Sequence, residues 1–317
     1  MRLLFAAAFA AVCLAGATED QTFNGRWDIS VHGDPRNRAW WLEVSGAGTA
    51  AAKGKFIGAP GGQLDEIPKI SIYDGQLRFA FDRRYRRDPK SLQKGIYWAR
   101  LDNGKLKGTF EIEGDPATYL EWTGVRAPNI EDKDDGSWKK GDPVNLFDGR
   151  DLTGWSPTVA GHTPWTVKAG ILTNAPGSSD LVSDKKFWNF ALHVEYRIPP
   201  NSNSGIGLRG RYEVQIEDDA GKPPSVHSNG AIYSRIAPTV NASKEAGEWQ
   251  TFDIRLVGRQ VTVVLNGVRV IDKQTIEGLT AIAIDPNEAE PGPILLQGDH
   301  GPVEFRKIAL FPLTKAH

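Results

Sequence analysis

Short runs in which apolar and polar residues alternate, separated by turns rich in Gly, Asp and Asn, extend from Thr22 to about Pro128. This period of two predicts β-strands that bury one face. Asp74-Gly75 and Asp102-Asn103-Gly104 are strong hairpin signals. In chain order the strands predict an up-and-down antiparallel meander that closes into a barrel or sandwich. The predicted strands are Gly25–Val31, Trp40–Val44, Gly54–Gly58, Lys69–Ile72, Leu77–Phe81, Gly95–Leu101, Lys105–Ile112 and Tyr119–Val125.

The same pattern returns from Val144 to Leu313, and no long window there has the period of an amphipathic helix. Asn266-Gly267 lies between two alternating runs and predicts a type I′ hairpin. About 170 residues of this pattern predict a two-sheet antiparallel sandwich of the jelly-roll type. The predicted strands are Leu192–Ile198, Gly205–Leu208, Tyr212–Glu217, Ala231–Tyr233, Gln250–Val257, Gln260–Leu265, Val268–Asp272, Ile294–Gln297 and Glu304–Leu310.

Residues 129–143 interrupt both patterns with the charge run Glu131–Asp135 and no apolar periodicity, which predicts a linker. The chain is therefore expected to hold an all-β domain over 18–128 and a second one over 144–317. The first domain opens on Gly25-Arg26-Trp27, which resembles the Gly-x-Trp start of lipocalin-type and avidin-type barrels. We expect an accessory domain with Trp27 as a core plug; a barrel that binds a small ligand or glycan is the alternative.

The first residues have the features of a secretory signal peptide. Arg2 is followed by the apolar stretch Leu3–Leu14 and by the small residues Ala15-Gly16-Ala17, so residues 1–17 are expected to be removed. About 12 apolar residues are too few to span a bilayer, and no other stretch approaches ~18, so no membrane insertion is expected. The mature protein is expected to be secreted or periplasmic. Its only Cys and only Met leave with the signal, so it has no disulfide or thiolate site.

Composition narrows the list of partners. The chain has 38 basic and 39 acidic residues, and this balance offers no broad basic surface for nucleic acid. Ten Trp and seven Tyr fit a β-rich protein, and also one that stacks on sugars. A carbohydrate is therefore a reasonable ligand class, while nothing in the pattern specifies an oligomeric state.

The most informative stretch is 203–218, where even positions are apolar and odd positions are polar. Successive side chains of a strand point to opposite faces, so one face carries Arg209, Glu213 and Gln215 in a row. A solvated outer face is the ordinary explanation of such a row. Gly205 and Gly207 leave room on the polar face, however, and the mixture of Arg, Glu and Gln favours a site.

A second candidate lies where the strand Ile294–Gln297 ends in Gly298-Asp299-His300-Gly301. Imidazole titrates near neutral pH, so His300 at a strand end is a candidate for proton transfer. The polar loop Pro223–His227 is predicted to overhang the site. The sequence has no Gly-x-Ser-x-Gly, Walker, Rossmann or His-Glu-x-x-His motif, which removes those classes of enzyme from consideration.

From about Pro143 to Leu313 the chain resembles the 3-keto-disaccharide hydrolase domain family, formerly a domain of unknown function. The resemblance rests on motifs in the same order, and Lys307 departs from it where the family usually has Asn. The N-terminal domain is not covered. The motifs are Leu146–Trp155, Asn203–Ile206, Tyr212–Gln215, Gly230–Tyr233, Asn241–Lys244, Gly247–Trp249, Leu265–Gly267 and Gly292–Gln297.

This resemblance implies a concanavalin A-like jelly-roll sandwich with a carbohydrate site on its concave face. It also implies a substrate whose ring C3 is already oxidised to a ketone. The ketone acidifies the C2 proton, a base removes it, and donors or a cation stabilise the enolate oxygen. The C1 substituent then leaves by β-elimination, with or without later addition of water.

On this mechanism Glu213 or His300 is expected to be the base or the acid. Arg209 and Gln215 would bind the keto and hydroxyl oxygens of the sugar. A divalent cation that polarises the ketone is left open, because the sequence shows no ligand spacing for it. The other residues expected to bind the substrate are Tyr233, Trp249, Gln297, Asn203, Ser204 and Lys244.

Two other functions remain compatible with the sequence. Glu213-x-Gln215-x-Glu217 has the spacing of a laminarinase-type retaining glycosidase, with Gln in place of the central Asp. Retaining chemistry needs carboxyls ~5–5.5 Å apart, whereas residues i and i+4 of a strand lie about 13 Å apart, so a bulge would be required. A carbohydrate-binding protein without catalysis is the other alternative, since jelly rolls serve both purposes.

Overall fold

The structure is a computed structural model that describes residues 20–34, 38–58, 62–85, 88–162, 164–175 and 177–315. All named elements in these ranges are β-strands, which confirms the predicted all-β class. The predicted signal peptide, residues 1–17, lies outside the described residues. The contacts divide the chain into two compact units between Ala127 and Pro128. Among the helices of the described ranges, none is long and apolar enough to cross a membrane.

The first unit is one antiparallel sheet in the order β4-β3-β2-β1-β9-β8-β7-β6-β5. Because the first strand also pairs with the last, the meander curls round as predicted. An ion pair between Arg83 and Asp65 links β6 to β4. The strands are β1 (Gly25–His32), β2 (Trp40–Ser45), β3 (Lys53–Ile57), β4 (Asp65–Ile67), β5 (Ser71–Tyr73), β6 (Gln76–Tyr85), β7 (Asp88–Asp102), β8 (Lys105–Ile112) and β9 (Asp115–Arg126).

Aromatic side chains fill the interior of this sheet. Trp40 meets Phe56, Tyr97 and Phe110 edge to face at centroid distances of 5.7, 6.2 and 5.9 Å. Trp27 is fully buried, and its Nε1 donates a hydrogen bond to the Phe23 carbonyl at 3.0 Å. Trp27 is therefore a core residue, as the sequence predicts.

The second unit contains two antiparallel sheets. One runs β13-β14-β23-β16-β19-β20-β21, with β10 and β11 also paired to β23, and the other runs β12-β15-β22-β17-β18. The strands are β10 (Trp138–Lys140), β11 (Val144–Phe147), β12 (Trp155–Pro157), β13 (Thr166–Lys168), β14 (Ile171–Thr173), β15 (Leu181–Phe187), β16 (Phe190–Arg197), β17 (Asn203–Leu208), β18 (Tyr212–Glu217), β19 (Gln250–Val257), β20 (Gln260–Leu265), β21 (Val268–Thr275), β22 (Gly292–Leu296) and β23 (Glu304–Lys315).

The two sheets enclose an apolar core, which makes this unit the predicted jelly-roll sandwich. Val194 and Phe252 of the first sheet are fully buried, as are Ile206 and Val214 of the second. A Cβ built on Gly230, beside β18, would contact the ring of Phe252 at 3.4 Å, so this edge lies directly on the opposite sheet. The other face of β17 and β18 is thereby turned away from the core.

The segment predicted as a linker, residues 129–143, is attached to the second unit. Asp134 accepts two hydrogen bonds from the Arg255 guanidinium, at 2.8 and 3.0 Å. Asp132 accepts one from Trp188 Nε1 at 2.8 Å, and β10 pairs with β23. The charge run that interrupts the apolar pattern therefore supplies the acceptors that hold this segment in place.

Candidate functional site

The candidate site lies on the polar face of β17 and β18. These strands pair without interruption from Asn203 opposite Glu217 to Leu208 opposite Tyr212. The alternation predicted from the sequence is therefore preserved along both strands, and Glu213, Gln215 and Glu217 share a face.

This polar face is largely buried. Glu213 and Gln215 are only 3% and 4% exposed, so they do not form a solvated outer surface. A Cβ on Gly205 would lie 2.4 Å from Glu213 Oε1, which shows that the carboxylate of β18 reaches across β17 into the space that the glycine leaves. Burial of this kind needs compensation by partners, and it is typical of a functional carboxylate.

A chain segment beyond β18 brings a tyrosine to the carboxylate. Gln215 N donates to the Ala231 carbonyl and Tyr233 N donates to the Glu213 carbonyl, both at 3.0 Å. Burial raises the pKa of Tyr233, and the nearby carboxylates of Glu213 and Glu217 raise it further. Tyr233 is thus held as a neutral phenol beside Glu213.

On the other side of β17, the turn after β22 presents a histidine. His300 Nδ1 lies 2.6 Å from Asp299 Oδ1, and this hydrogen bond raises the pKa of His300 despite the opposing effect of partial burial. The carboxylates of Glu213 and Asp180 also raise it. Glu213 therefore acts electrostatically on both His300 and Tyr233, which places these three predicted residues in one neighbourhood.

A cleft of about 340 Å³ opens beside this neighbourhood. Its size is at the lower end of the ~300–1,000 Å³ typical of small-molecule sites. Asn203 lines the cleft, and its Oδ1 is buried without a hydrogen-bond partner within the described ranges. The lining residues are Asn203, Gln215, Glu217, Asp219, Lys222, Pro223, Ser225, His227, Ser228 and Tyr233.

The charged lining favours a neutral, hydroxyl-rich ligand over an anionic one. Burial raises the pKa of Glu217, and the carboxylate of Asp219 raises it further. Gln215 Nε2 lies 3.4 Å from Glu217 Oε2, and the ring of His227 lies 5.0 Å from that of Tyr233. The loop predicted to overhang the site therefore forms one wall of the cleft, and its acceptors and donors suit sugar hydroxyls.

Arg209 is placed elsewhere. It lies in the turn between β17 and β18 with φ of 54°, so its side chain leaves the alternating row. Its guanidinium donates to the Trp188 carbonyl at 2.7 Å and to Asn189 Oδ1 at 3.1 Å, and it lies 3.8 Å above the Trp188 ring. Burial lowers the pKa of Arg209 to about 10. It braces the Trp188–Asn189 turn, and this geometry does not support the predicted contact with the keto oxygen.

Trp249 and Lys244 are also not among the residues that line the cleft. The guanidinium groups of Arg197 and Arg306 lie 4.8 and 4.4 Å from the Trp249 ring, on the side of β16 and β23. Lys244 Nζ donates to the Trp249 carbonyl at 2.9 Å. Trp249 therefore packs against side chains of the first sheet, Lys244 bonds to Trp249, and neither residue lines the cleft.

Ser204 and Gln297 connect strands. The Ser204 hydroxyl is fully buried and donates to the Gln297 carbonyl at 2.8 Å, while Gln297 N donates to the Gly205 carbonyl at 2.9 Å. Both residues therefore hold β17 against the end of β22. Neither residue lines the cleft, and neither do Glu213 and His300, which lie beside it.

Sequence reasoning did not single out Asp219, Lys222 and Ser228 of the segment that follows β18. Asp219 lines the cleft and accepts hydrogen bonds from Asn229 N at 3.0 Å and from Ser243 Oγ at 2.7 Å. The acidic run Glu217-Asp218-Asp219 at a strand end is the signal that could have indicated it. In the part of the chain that the structure describes, no group of three or more His, Cys, Asp or Glu side chains is placed to hold a metal ion.

Comparison with known proteins identifies one family. The model of the 3-keto-alpha-glucoside-1,2-lyase-like domain matches residues 142–310, which is more than half of the chain. The match covers the cleft, the polar face of β17 and β18, and the turn that carries His300. No curated protein matches the chain significantly.

Several solved structures are similar to the second half of the chain. A candidate glycosyl hydrolase from Parabacteroides distasonis is 31% identical, with 58% of this chain and 91% of that chain covered and a TM-score of 0.48. Another candidate glycosyl hydrolase from the same organism is 21% identical. The match covers 54% of this chain and 94% of that one, with a TM-score of 0.46. A carbohydrate-binding module from Bacillus subtilis is 13% identical. The match covers 52% of this chain and 96% of that one, with a TM-score of 0.32.

Proposed function

Because the chain belongs to the 3-keto-alpha-glucoside-1,2-lyase-like domain family, we propose that it cleaves glycosides whose sugar ring carries a ketone at C3. Membership of this family makes it a carbohydrate-active enzyme, and the ketone-dependent reaction is our proposal. The observation that carries it is the buried carboxylate of Glu213, which acts electrostatically both on Tyr233 in the wall of the small cleft and on His300 in the turn after β22.

The proposed reaction begins at C2 of the keto sugar. A base takes the C2 proton, and the electron pair of that bond forms an enolate with the C3 ketone. The enolate collapses to a C1–C2 double bond, and the C1–O bond breaks with its electron pair on the leaving oxygen, which takes up a proton. Addition of water across the double bond would return the free keto sugar, so the sum of both steps is hydrolysis.

The described side chains supply each proton transfer. Glu213 is the proposed base, since its carboxylate is buried on the polar face of β18 and acts electrostatically on both His300 and Tyr233. His300 is the proposed acid for the leaving oxygen, because Asp299 keeps its imidazole protonated to higher pH. The neutral phenol of Tyr233 can donate a hydrogen bond to the enolate oxygen.

The strand geometry favours this route over a conventional retaining glycosidase. The register between β17 and β18 is continuous, so Glu213 and Glu217 are four regular strand positions, or about 13 Å, apart along β18. A retaining pair needs carboxyls ~5–5.5 Å apart. Elimination beside a ketone needs only one carboxylate at the reacting carbon, which the polar face provides.

Incubation of the mature protein with 3-keto-trehalose and with 3-keto-α- and β-glucosides, followed by mass spectrometry, tests the proposal. We expect cleavage of the keto sugars and none of the parent glucosides. Glu213→Gln should lower kcat by ~10²–10⁴-fold, which is the usual contribution of a general base. Glu217→Gln should keep most of the wild-type kcat. The same incubation with EDTA tests the divalent cation that the sequence left open, because loss of cleavage would place a metal ion in the reaction. Saturable sugar binding without any turnover would instead indicate a carbohydrate-binding protein.

We also propose that the protein works outside the cytoplasm, on the basis of residues 1–17. N-terminal sequencing of the protein from the periplasm or medium of its host should begin at Thr18. Recovery of the full chain from the cytoplasm, beginning at Met1, would contradict this.

A further inference from the structure

The turn Gly298–Gly301, which carries Asp299 and His300, fits tightly between neighbouring chain segments. A Cβ on Gly298 would lie 2.3 Å from the Ser179 carbonyl oxygen, and one on Gly301 would lie 2.0 Å from Ser202 Oγ. Gly301 N also donates to the Asn203 carbonyl at 2.9 Å. The backbone on both sides of His300 therefore has little freedom, and small changes in its supports would move the imidazole.

One buried side chain holds both ends of this turn. Asn174 follows β14 and is 6% exposed. Its Nδ2 donates to the carbonyls of Gly298 and Gly301, both at 3.0 Å, and its Oδ1 accepts from Val303 N at 2.8 Å. Both amide protons and the amide oxygen of Asn174 are thus used on the segment that presents His300.

We infer that Asn174 is a positioning residue that holds the His300 imidazole where it can protonate the leaving oxygen. The inference rests on the proposed function. It adds to the site a residue that lies 126 positions before His300 in the chain and does not line the cleft. Asp180 supports the same turn, because its Oδ1 accepts from Gly298 N at 2.9 Å. A base or acid must be held to about 0.5 Å to act, so a support of this kind is required for rate.

Removal of the Asn174 amide leaves three buried backbone groups without their partner, and the turn must relax to find others. A displacement of about 1 Å in a catalytic group can cost ~10²-fold in rate. We therefore expect Asn174→Ala to lower kcat by ~10²-fold and to change KM by less than about threefold. The small change in KM follows because Asn174 lies outside the cleft lining.

A double-mutant cycle with His300→Gln tests whether Asn174 acts through His300. If it does, Asn174→Ala should lower kcat strongly in the wild-type background and by less than about threefold in the His300→Gln background. Asn189→Ala is the matched control, since Asn189 is also buried and makes hydrogen bonds to Asp132, Arg209 and Gly258 N. It should leave kcat nearly unchanged. Independent, multiplicative losses in kcat from Asn174→Ala and His300→Gln would overturn the inference.

A second readout needs no substrate. The ring resonances of His300, assigned by their loss in His300→Gln, should shift or broaden in Asn174→Ala and stay in place in Asn189→Ala. Asn174→Asp, which retains the acceptor for Val303 N, replaces the alanine variant if that one does not fold. Unchanged His300 resonances would overturn the inference even if keto sugars are cleaved. Altered resonances in a protein that cleaves none would overturn the proposed function and leave the positioning role in place.

Discussion

Glu213 owes its position to the missing side chain of Gly205. On an ordinary strand a carboxylate at this point would project outward, but here it reaches across to the neighbouring strand and stays 97% buried. A buried carboxylate beside an imidazole and a phenol is unusual in a purely structural strand. At the scale of single residues, the site therefore depends as much on a glycine as on the groups that carry charge.

Gly205→Ala should displace the Glu213 carboxylate, because the added Cβ would lie 2.4 Å from Oε1. We expect kcat on a keto glycoside to fall by at least about tenfold, since the proposed base moves. Gly207→Ala is the control: it lies opposite Glu213 on β17, but the atom nearest its added Cβ is Leu295 Cβ at 2.9 Å and not the Glu213 carboxylate. Equal losses of kcat in the two variants, measured beside their thermal midpoints, would argue against this role of Gly205.

Asp299→Asn should change the pH dependence of the reaction. Asp299 raises the pKa of His300, and an acid acts only below its pKa, so activity is lost as pH rises through that value. Without the carboxylate the pKa of His300 falls, and the alkaline limb of the kcat/KM profile should move to lower pH. A limb that stays in place, or moves to higher pH, would show that His300 is not the acid.

At the scale of elements, the segment before β11 is the clearest case of charge deciding structure. The Arg255 guanidinium lowers the pKa of Asp134, and the bidentate pair fixes a chain segment that has no apolar periodicity of its own. The same segment extends the first sheet through β10. It is part of the second unit and shares its stability.

Asp134→Ala should lower the free energy of unfolding by about 1–3 kcal/mol at pH 7, because Arg255 loses a charged, hydrogen-bonded partner. The contribution of Asp134 is present above its unfolded pKa of about 3.9 and is lost as pH falls through its lower folded value. The difference between variant and wild type in denaturant unfolding should therefore shrink below about pH 4. Asp135→Ala, at an exposed neighbour bonded to Ser137, should have little effect.

At the scale of the whole molecule, each of the two units has its own apolar core among the described residues. The first core is built from aromatic rings such as Trp27 and Trp40, and the second lies between the sheets of the sandwich. The residues of the candidate site all belong to the second unit, which begins at Pro128. Stability of the first unit and catalysis by the second should therefore respond to different substitutions.

Trp40→Ala should destabilise the first unit by about 3–5 kcal/mol, the usual cost of removing a large buried aromatic side chain. We expect kcat/KM on keto glycosides to stay within about twofold of the wild type. Leu256→Ala, at a fully buried position of the second unit, should lower both stability and activity. Loss of activity in Trp40→Ala, while the second unit remains folded by circular dichroism and proteolysis, would show that the two units work together.

Local alternation of apolar and polar residues was sufficient to predict most of the strands. The reason is that the direction of a side chain on a strand depends only on its own backbone. β8 was predicted with the bounds that the structure has. The shared face of Glu213, Gln215 and Glu217 followed from their spacing of two residues along one strand. β4 and the six strands from β10 to β15 were missed, and the predicted strand Ala231–Tyr233 forms only an isolated bridge at Ile232. β4 shows the reason, because three residues with two charges show no alternation. The candidate base was indicated by the alternating polar row of β18, and the candidate acid by the glycine-rich break at the end of a strand.

Whether a strand face is buried, by contrast, depends on which other segments of the chain pack over it. Alternation does not distinguish a solvated polar row from the buried one that contains Glu213, and it does not show that Arg209 turns away to Trp188. The support of the His300 turn by Asn174 joins residues more than 120 positions apart. Such contacts form only when two sheets are folded against each other, so no local pattern in the sequence specifies them.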